Sequence, residues 1–84
     1  MLGKVQNMND KVTKNEINKW LNKMEEKLGK VKIRKERGNE FLENINAYVH
    51  DCKYFMRNGD FVRSFEAIIW AWAWLEIGEK LEVF

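Results

Sequence analysis

The most apolar segment of the chain, residues 67–75, restricts the fold more than any other feature. Its nine residues carry no charge, and Glu66 and Glu76 bound it on either side. A segment that crosses a bilayer needs ~20 consecutive apolar residues. We therefore expect a soluble protein that has no membrane partner.

Trp and Ala alternate in this segment, as they would in a half-buried strand, yet the flanking residues have helical spacing. At about 100° per residue, bulky side chains form two rows on opposite faces of a helix. One row comprises Phe61, Phe65, Ile68, Trp72 and Leu75, and the other comprises Trp70, Trp74, Ile77, Leu81 and Phe84. A strip of small residues lies between the rows: Ser64, Ala67, Ala71 and Gly78. This profile predicts a helix that lies in the groove between two others.

Two earlier segments are predicted to form those neighbouring helices. Thr13 and Glu16 fit a capping box that begins the first helix, which weakens at Gly29. Its apolar residues recur at spacings of four and three: Ile17, Leu21, Met24, Leu28 and Val31. The second helix is predicted to run from about Glu36 or Asn39 to Asn58, with apolar rows along one side.

The turn after the second helix also has a clear local pattern. Gly59 suits the left-handed residue that ends a helix, and Asp60 suits the N-cap of the next one. Short connections make successive helices antiparallel. The sequence thus predicts an all-α, three-helix up-down-up bundle over residues 13–84, preceded by a flexible N-terminal tail, residues 1–12.

Residues 41–84 resemble a small archaeal family known only as domain of unknown function 357 (DUF357). The family pattern has a helix that ends in a Gly-Asp turn, followed by a helix with Trp and Gly at fixed spacings. The matching residues are Tyr48, Asp51, Phe55, Gly59, Asp60, Ala67, Ala71, Trp74, Leu75 and Gly78. Glu76 replaces an Asp of the pattern, Trp72 replaces a His and Ala73 replaces a Gly. The resemblance implies a three-helix bundle and an archaeal cytoplasmic protein, and it implies no established activity.

The residues that usually carry chemistry are scarce. Cys52 is the only cysteine, so no intramolecular disulfide can form, and a reducing cytoplasm is the expected compartment. Cys52 and the single histidine, His50, point about 200° apart on a helix and cannot share a metal ion. We expect a protein that is not an enzyme and has no metal, cofactor or small-molecule ligand.

A basic connector between the first two helices is one candidate binding site. Its five cations stand beside only one acidic residue, Glu36. These cations are possible contacts for nucleic-acid phosphates: Lys30, Lys32, Arg34, Lys35 and Arg37. No aromatic residue is interleaved among them for base stacking. A solvated loop is therefore the competing interpretation, and nucleic-acid binding is the alternative hypothesis for function.

The outer face of the third helix is the stronger candidate. The helix is apolar over much of its circumference and still places apolar residues on the side expected to face water. An over-apolar core helix explains this pattern as well as an interface does. The candidate interaction surface comprises Val62, Ile69, Trp70, Ala73 and Phe84, with the two aromatic residues as anchors. Our leading hypothesis is a non-enzymatic interaction module, acting as a homodimer or as an accessory subunit of another protein.

Overall fold

The computed structural model describes residues 12–84, which form three α-helices. These are α1 (Lys14–Leu28), α2 (Gly38–Arg57) and α3 (Phe61–Lys80). The predicted tail lies outside the described residues except for Val12, which packs at the edge of the core. The all-α prediction and the three helices are confirmed.

The first and third helices begin at the predicted caps, and the second helix ends at the predicted turn. Thr13 accepts a hydrogen bond from the backbone N–H of Glu16 at 3.1 Å, and Asp60 accepts one from the N–H of Arg63 at 3.1 Å. Gly59 has a φ of 76°, the left-handed conformation that an L side chain disfavours. The N–H of Asp60 then bonds back to the carbonyl of Phe55 at 2.9 Å, which closes α2.

Side-chain contacts fix the directions of α2 and α3. Tyr48 pairs with Trp70, and Phe41, seven residues earlier in the chain, pairs with Trp74. The partner of the later α3 residue comes earlier in α2. The two helices are therefore antiparallel.

Helices α1 and α3 instead run parallel. Trp20 meets Trp72 edge-to-face with ring centroids 6.0 Å apart. Seven residues further along both helices, the Lys27 ammonium lies 3.0 Å from the Glu79 carboxylate. The bundle is therefore up-down-up, as predicted.

The small strip of α3 lies at the centre of the packing. Ser64, Ala67, Ala71 and Gly78 are all buried. Their short side chains let α3 approach its neighbours closely, so that the larger residues beside them enter the core. The fully buried large side chains come from all three helices: Ile17, Met24, Ile45, Ile68 and Leu75. Each contributes about 1.5–3 kcal/mol relative to an exposed side chain.

One polar pair is enclosed in this core between α2 and α3. The hydroxyl of Ser64 donates to the carbonyl of Cys52 at 2.7 Å and lies 3.3 Å from the Cys52 thiol. Both side chains are fully buried. Because each polar atom has a partner, the pair avoids the cost of an unsatisfied buried group.

The end of α3 is tied to the connector that follows α1. Glu82 adopts a left-handed φ of 58°, and this turns the chain so that Val83 is buried. The carbonyl of Val83 accepts from the backbone N–H of Arg34 at 2.8 Å. A Cβ on Gly38 would lie 2.6 Å from that carbonyl, so glycine is required for this close approach.

Among the helices formed by residues 12–84, none combines the length and apolarity needed to cross a membrane.

Candidate interaction surface and basic cavity

The outer face of α3 carries five exposed large apolar side chains, together with the exposed charged residues Glu66, Glu76 and Lys80. The exposed fractions are 50% for Val62, 44% for Ile69, 58% for Trp70, 49% for Ile77 and 47% for Leu81. Ala73, partly buried, lies among them. We call these six residues the α3 stripe. It extends from the first turn of α3 to its C-cap, a distance of about 30 Å at 1.5 Å per residue.

The stripe is exposed because α3 has only two neighbours. The strip of small residues faces α2 and the row that contains Trp72 faces α1, so the residues on the other side of the helix have no element to cover them. Elsewhere in the described chain, only Ile33 and Tyr54 are large, apolar and exposed. Exposed apolar residues are therefore concentrated on one helix face and are not scattered over the surface.

Trp70 forms one edge of the stripe. Its ring stacks on that of Tyr48 in α2, with centroids 6.3 Å apart and planes 21° apart. This stacking holds an exposed indole in a fixed orientation. A pre-oriented Trp loses little side-chain entropy on binding, which suits it to anchor an interface.

The structure brings together four of the five predicted surface residues and separates the fifth. Val62, Ile69, Trp70 and Ala73 all belong to the stripe. Phe84 is half-buried against the core, where its ring meets Phe41 edge-to-face at 6.3 Å.

Sequence reasoning missed Ile77 and Leu81 as members of the surface. Their spacing places them in one bulky row with Trp70 and Trp74, which a helix between two others would bury. Their helical spacing from Ala73, four residues to Ile77 and four more to Leu81, is the signal that could place them on the stripe.

Three of the five connector cations converge on one cavity. Lys30, Lys32 and Arg34 line an open cavity of about 560 Å³, which Lys27 of α1 joins. Its apolar lining comes from Val31 and the ring of Phe84. Because the C-terminus of the chain folds back against the connector, an aromatic ring lies beside these cations. Sequence reasoning found no aromatic here, since Phe84 is distant along the chain.

The other two connector cations lie elsewhere. The Lys35 ammonium donates to the carbonyl of Leu81 at 3.0 Å, where it complements the negative end of the α3 dipole. Arg37 places its guanidinium 6.0 Å from the ring centre of Phe41. The predicted phosphate contacts are thus divided between a shared cavity and two intramolecular contacts.

The chemically reactive side chains do not form a cluster. Within residues 12–84, no three His, Cys, Asp or Glu side chains lie close enough together to hold a metal ion. Burial raises the pKa of the Cys52 thiol, and its hydrogen bond with Ser64 only partly opposes that shift. A thiol whose pKa is raised is a poor nucleophile at neutral pH.

Fold and surface together define a class: a small all-α three-helix bundle with an uncovered apolar face. The sequence profile of the family described as "Protein of unknown function (DUF357)" matches residues 19–84. The chain belongs to the DUF357 family.

A solved relative agrees with this assignment. The crystal structure of protein AF1782 from Archaeoglobus fulgidus, also a DUF357 protein, is 41% identical in sequence. The similarity covers 90% of this chain and 93% of that one, with a TM-score of 0.73. No curated protein matches the sequence. The resemblance seen in residues 41–84 is thereby confirmed and extended back into α1.

Proposed function

We propose that this protein is a non-enzymatic interaction module that binds another protein surface through the α3 stripe, as a homodimer or as an accessory subunit. The observation that carries this proposal is the exposure of five large apolar side chains along the whole length of one helix. Exposed apolar side chains that are concentrated on one face of a helix are typical of protein–protein interfaces.

The composition of the stripe predicts how the complex responds to salt. Its members are aliphatic or aromatic, and Trp is among the residues that most often dominate binding energy. Apolar burial contributes about 25 cal/mol per Å² and does not depend on attraction between charges. The complex should therefore persist at high salt.

Sedimentation equilibrium and affinity capture from an archaeal lysate test this function with one matched pair of variants. Ile69→Lys places a charge in the stripe, whereas Ile33→Lys makes the same change at an exposed isoleucine of the connector. We expect Ile69→Lys to abolish self-association or capture at both low and high salt, and Ile33→Lys to retain it. Val62→Glu should behave like Ile69→Lys. Equal association and capture by all these proteins would refute the proposal.

The basic cavity supports a second candidate function: sequence-tolerant binding of single-stranded nucleic acid. The observation that favours it is the placement of Phe84 beside Lys27, Lys30, Lys32 and Arg34. Such sites combine two elements: cations that contact the phosphates, and an aromatic ring on which a base stacks. The Lys27 ammonium also pairs with Glu79, which weakens the positive potential on that side.

Fluorescence anisotropy with a labelled single-stranded oligonucleotide tests this second candidate. Binding should fall steeply as salt rises, because each phosphate contact releases a counterion. Arg34→Glu should weaken it, and Arg57→Glu, a control at an exposed cation of α2 outside the cavity, should not. Binding that is unaffected by Arg34→Glu would remove the cavity from consideration.

A further inference from the structure

The central row of the α3 outer face has a symmetry that the rest of the helix lacks. From Glu66 onward the row consists of Glu66, Ile69, Ala73, Ile77 and Lys80, with spacings of three, four, four and three residues. Read from either end, the order is charged, large apolar, small, large apolar, charged. The two charges at its ends have opposite signs. Glu66, Ile69, Ile77 and Lys80 are exposed, and Ala73 is partly buried.

This symmetry matches a two-fold axis perpendicular to α3 at Ala73. When a second copy of α3 lies antiparallel across the axis, Ala73 faces Ala73 and the two backbones can approach closely. Ile69 of each copy then lies opposite Ile77 of the other. Glu66 of each copy lies opposite Lys80 of the other, so both ends of the contact carry an ion pair.

The same axis suits the aromatic edge of the stripe. An axis in the plane of the interface keeps each edge on its own side of the dimer. Trp70 of one copy therefore lies on the same edge, and at nearly the same level, as Ile77 of the other. The indole that is held in place by Tyr48 would cover the edge of the apolar contact.

Charge selects this arrangement over the parallel one. A parallel pair in register would place Glu66 beside Glu66 and Lys80 beside Lys80. Like charges at a contact are unfavourable, whereas opposite charges fix direction and register. Within residues 12–84, neither Glu66 nor Lys80 forms a salt bridge, so both charges are available to a partner.

We propose that the occupant of the α3 stripe is a second copy of this chain, bound antiparallel about a two-fold axis at Ala73. This inference rests on the interaction function proposed above and assigns its partner and geometry. A contact made by one helix about 30 Å long is smaller than a standard interface, which buries about 800 Å² on each partner. The dimer should accordingly be reversible, with a population that depends on protein concentration.

Charge-exchange variants test the geometry by sedimentation equilibrium at low salt. In the antiparallel dimer, Glu66→Lys and Lys80→Glu should each weaken association several-fold, because each creates two like-charge pairs. The double variant E66K/K80E should restore it, since the opposite pairs are re-formed across the axis. The two positions lie fourteen residues apart on one helix, so the restoration cannot arise within a single copy.

Disulfide trapping provides a second readout. The antiparallel register predicts that a mixture of Ile69→Cys and Ile77→Cys proteins forms a mixed disulfide under mild oxidation. Wild-type protein, whose one thiol is buried, is the control. Homodisulfides of Ile69→Cys that form faster than the mixed disulfide would indicate a parallel pair and overturn the proposal.

The outcomes also separate this inference from the function on which it rests. A protein that is monomeric at every concentration, yet captures a partner in an Ile69-dependent manner, overturns the homodimer and leaves the interaction function intact. A monomer whose capture is independent of Ile69 overturns both. A dimer that is weakened by either single charge change and restored by the double variant supports both.

Discussion

The two faces of α3 differ in a way that hydrophobicity does not predict. The inner face has small residues at its centre, Ser64, Ala67, Ala71 and Gly78, and is buried. The outer face has large apolar residues and is about half exposed. The comparison shows that burial in this helix depends on which side chains let a neighbouring backbone approach.

The physical reason lies in the number of neighbours. Small residues allow α2 to approach α3, and the flanking Ile68 and Leu75 then fill the space between the three helices. A third neighbour would be needed to cover the opposite side, and three helices provide only two. The outer face is therefore a consequence of the packing that the inner face permits.

The largest expected effect comes from truncating adjacent isoleucines on the two faces. Ile68 is fully buried and Ile69 is 44% exposed. Ile68→Ala should lower the free energy of unfolding by about 2–5 kcal/mol, because it removes packed methyl groups and leaves a cavity. Ile69→Ala should lower it by less than about 1 kcal/mol.

Urea denaturation at low micromolar concentration, where self-association contributes least, measures both values. Equal losses would show that the outer face is packed inside the folded monomer, and the distinction between the faces would no longer hold.

Enlarging Ala71 and Ala73, two residues apart on opposite faces of α3, sharpens the same comparison with a smaller effect. Ala71 is fully buried at the helix contact, whereas Ala73 lies on the stripe. Ala71→Leu should cost about 1–3 kcal/mol, since the added atoms have no space. Ala73→Leu should leave the thermal midpoint of the diluted protein nearly unchanged. If Ala71→Leu is instead tolerated as well as Ala73→Leu, the close approach of the helices is not required for stability.

The smallest effect concerns the buried thiol of the inner core. Burial raises the pKa of Cys52 in the folded protein, so folding favours the protonated form. The contribution of this thiol to the free energy of unfolding is present in full below the pKa of an unfolded cysteine, about 8.5. It is lost as the pH rises through the pKa of the folded protein.

Denaturation curves at pH 7 and at pH 9.5 measure this loss against Cys52→Ala. The wild-type protein should lose more stability between the two pH values than the variant does, because only the wild-type protein has a thiol to ionise on unfolding. An identical loss in both proteins would indicate that the thiol is already accessible to solvent.

Much of the fold could be predicted from local sequence. Thr13, Gly59 and Asp60 mark helix boundaries through hydrogen bonds and backbone angles that depend only on nearby residues. The helical spacing of apolar residues likewise identified the buried strip of α3. These features can be predicted from the sequence because the interactions that cause them join residues only a few positions apart.

The candidate sites were predicted less completely. Val62, Ile69, Trp70 and Ala73 share the predicted surface, but Phe84 packs against Phe41. The connector cations looked equivalent along the chain, yet only Lys30, Lys32 and Arg34 share a cavity. Lys35 and Arg37 make contacts with residues that the linear pattern does not place near them.

The sequence by itself determined three helices, the caps at Thr13 and Asp60, the turn at Gly59 and the small strip of α3. Periodicity and capping are local properties, so the order of residues was sufficient. Only the tertiary structure decided which apolar row of α3 stays uncovered and which cations meet Phe84. Both depend on the rotation of one helix against two others and on the path of the last residues, and these are set by contacts between residues distant in the chain.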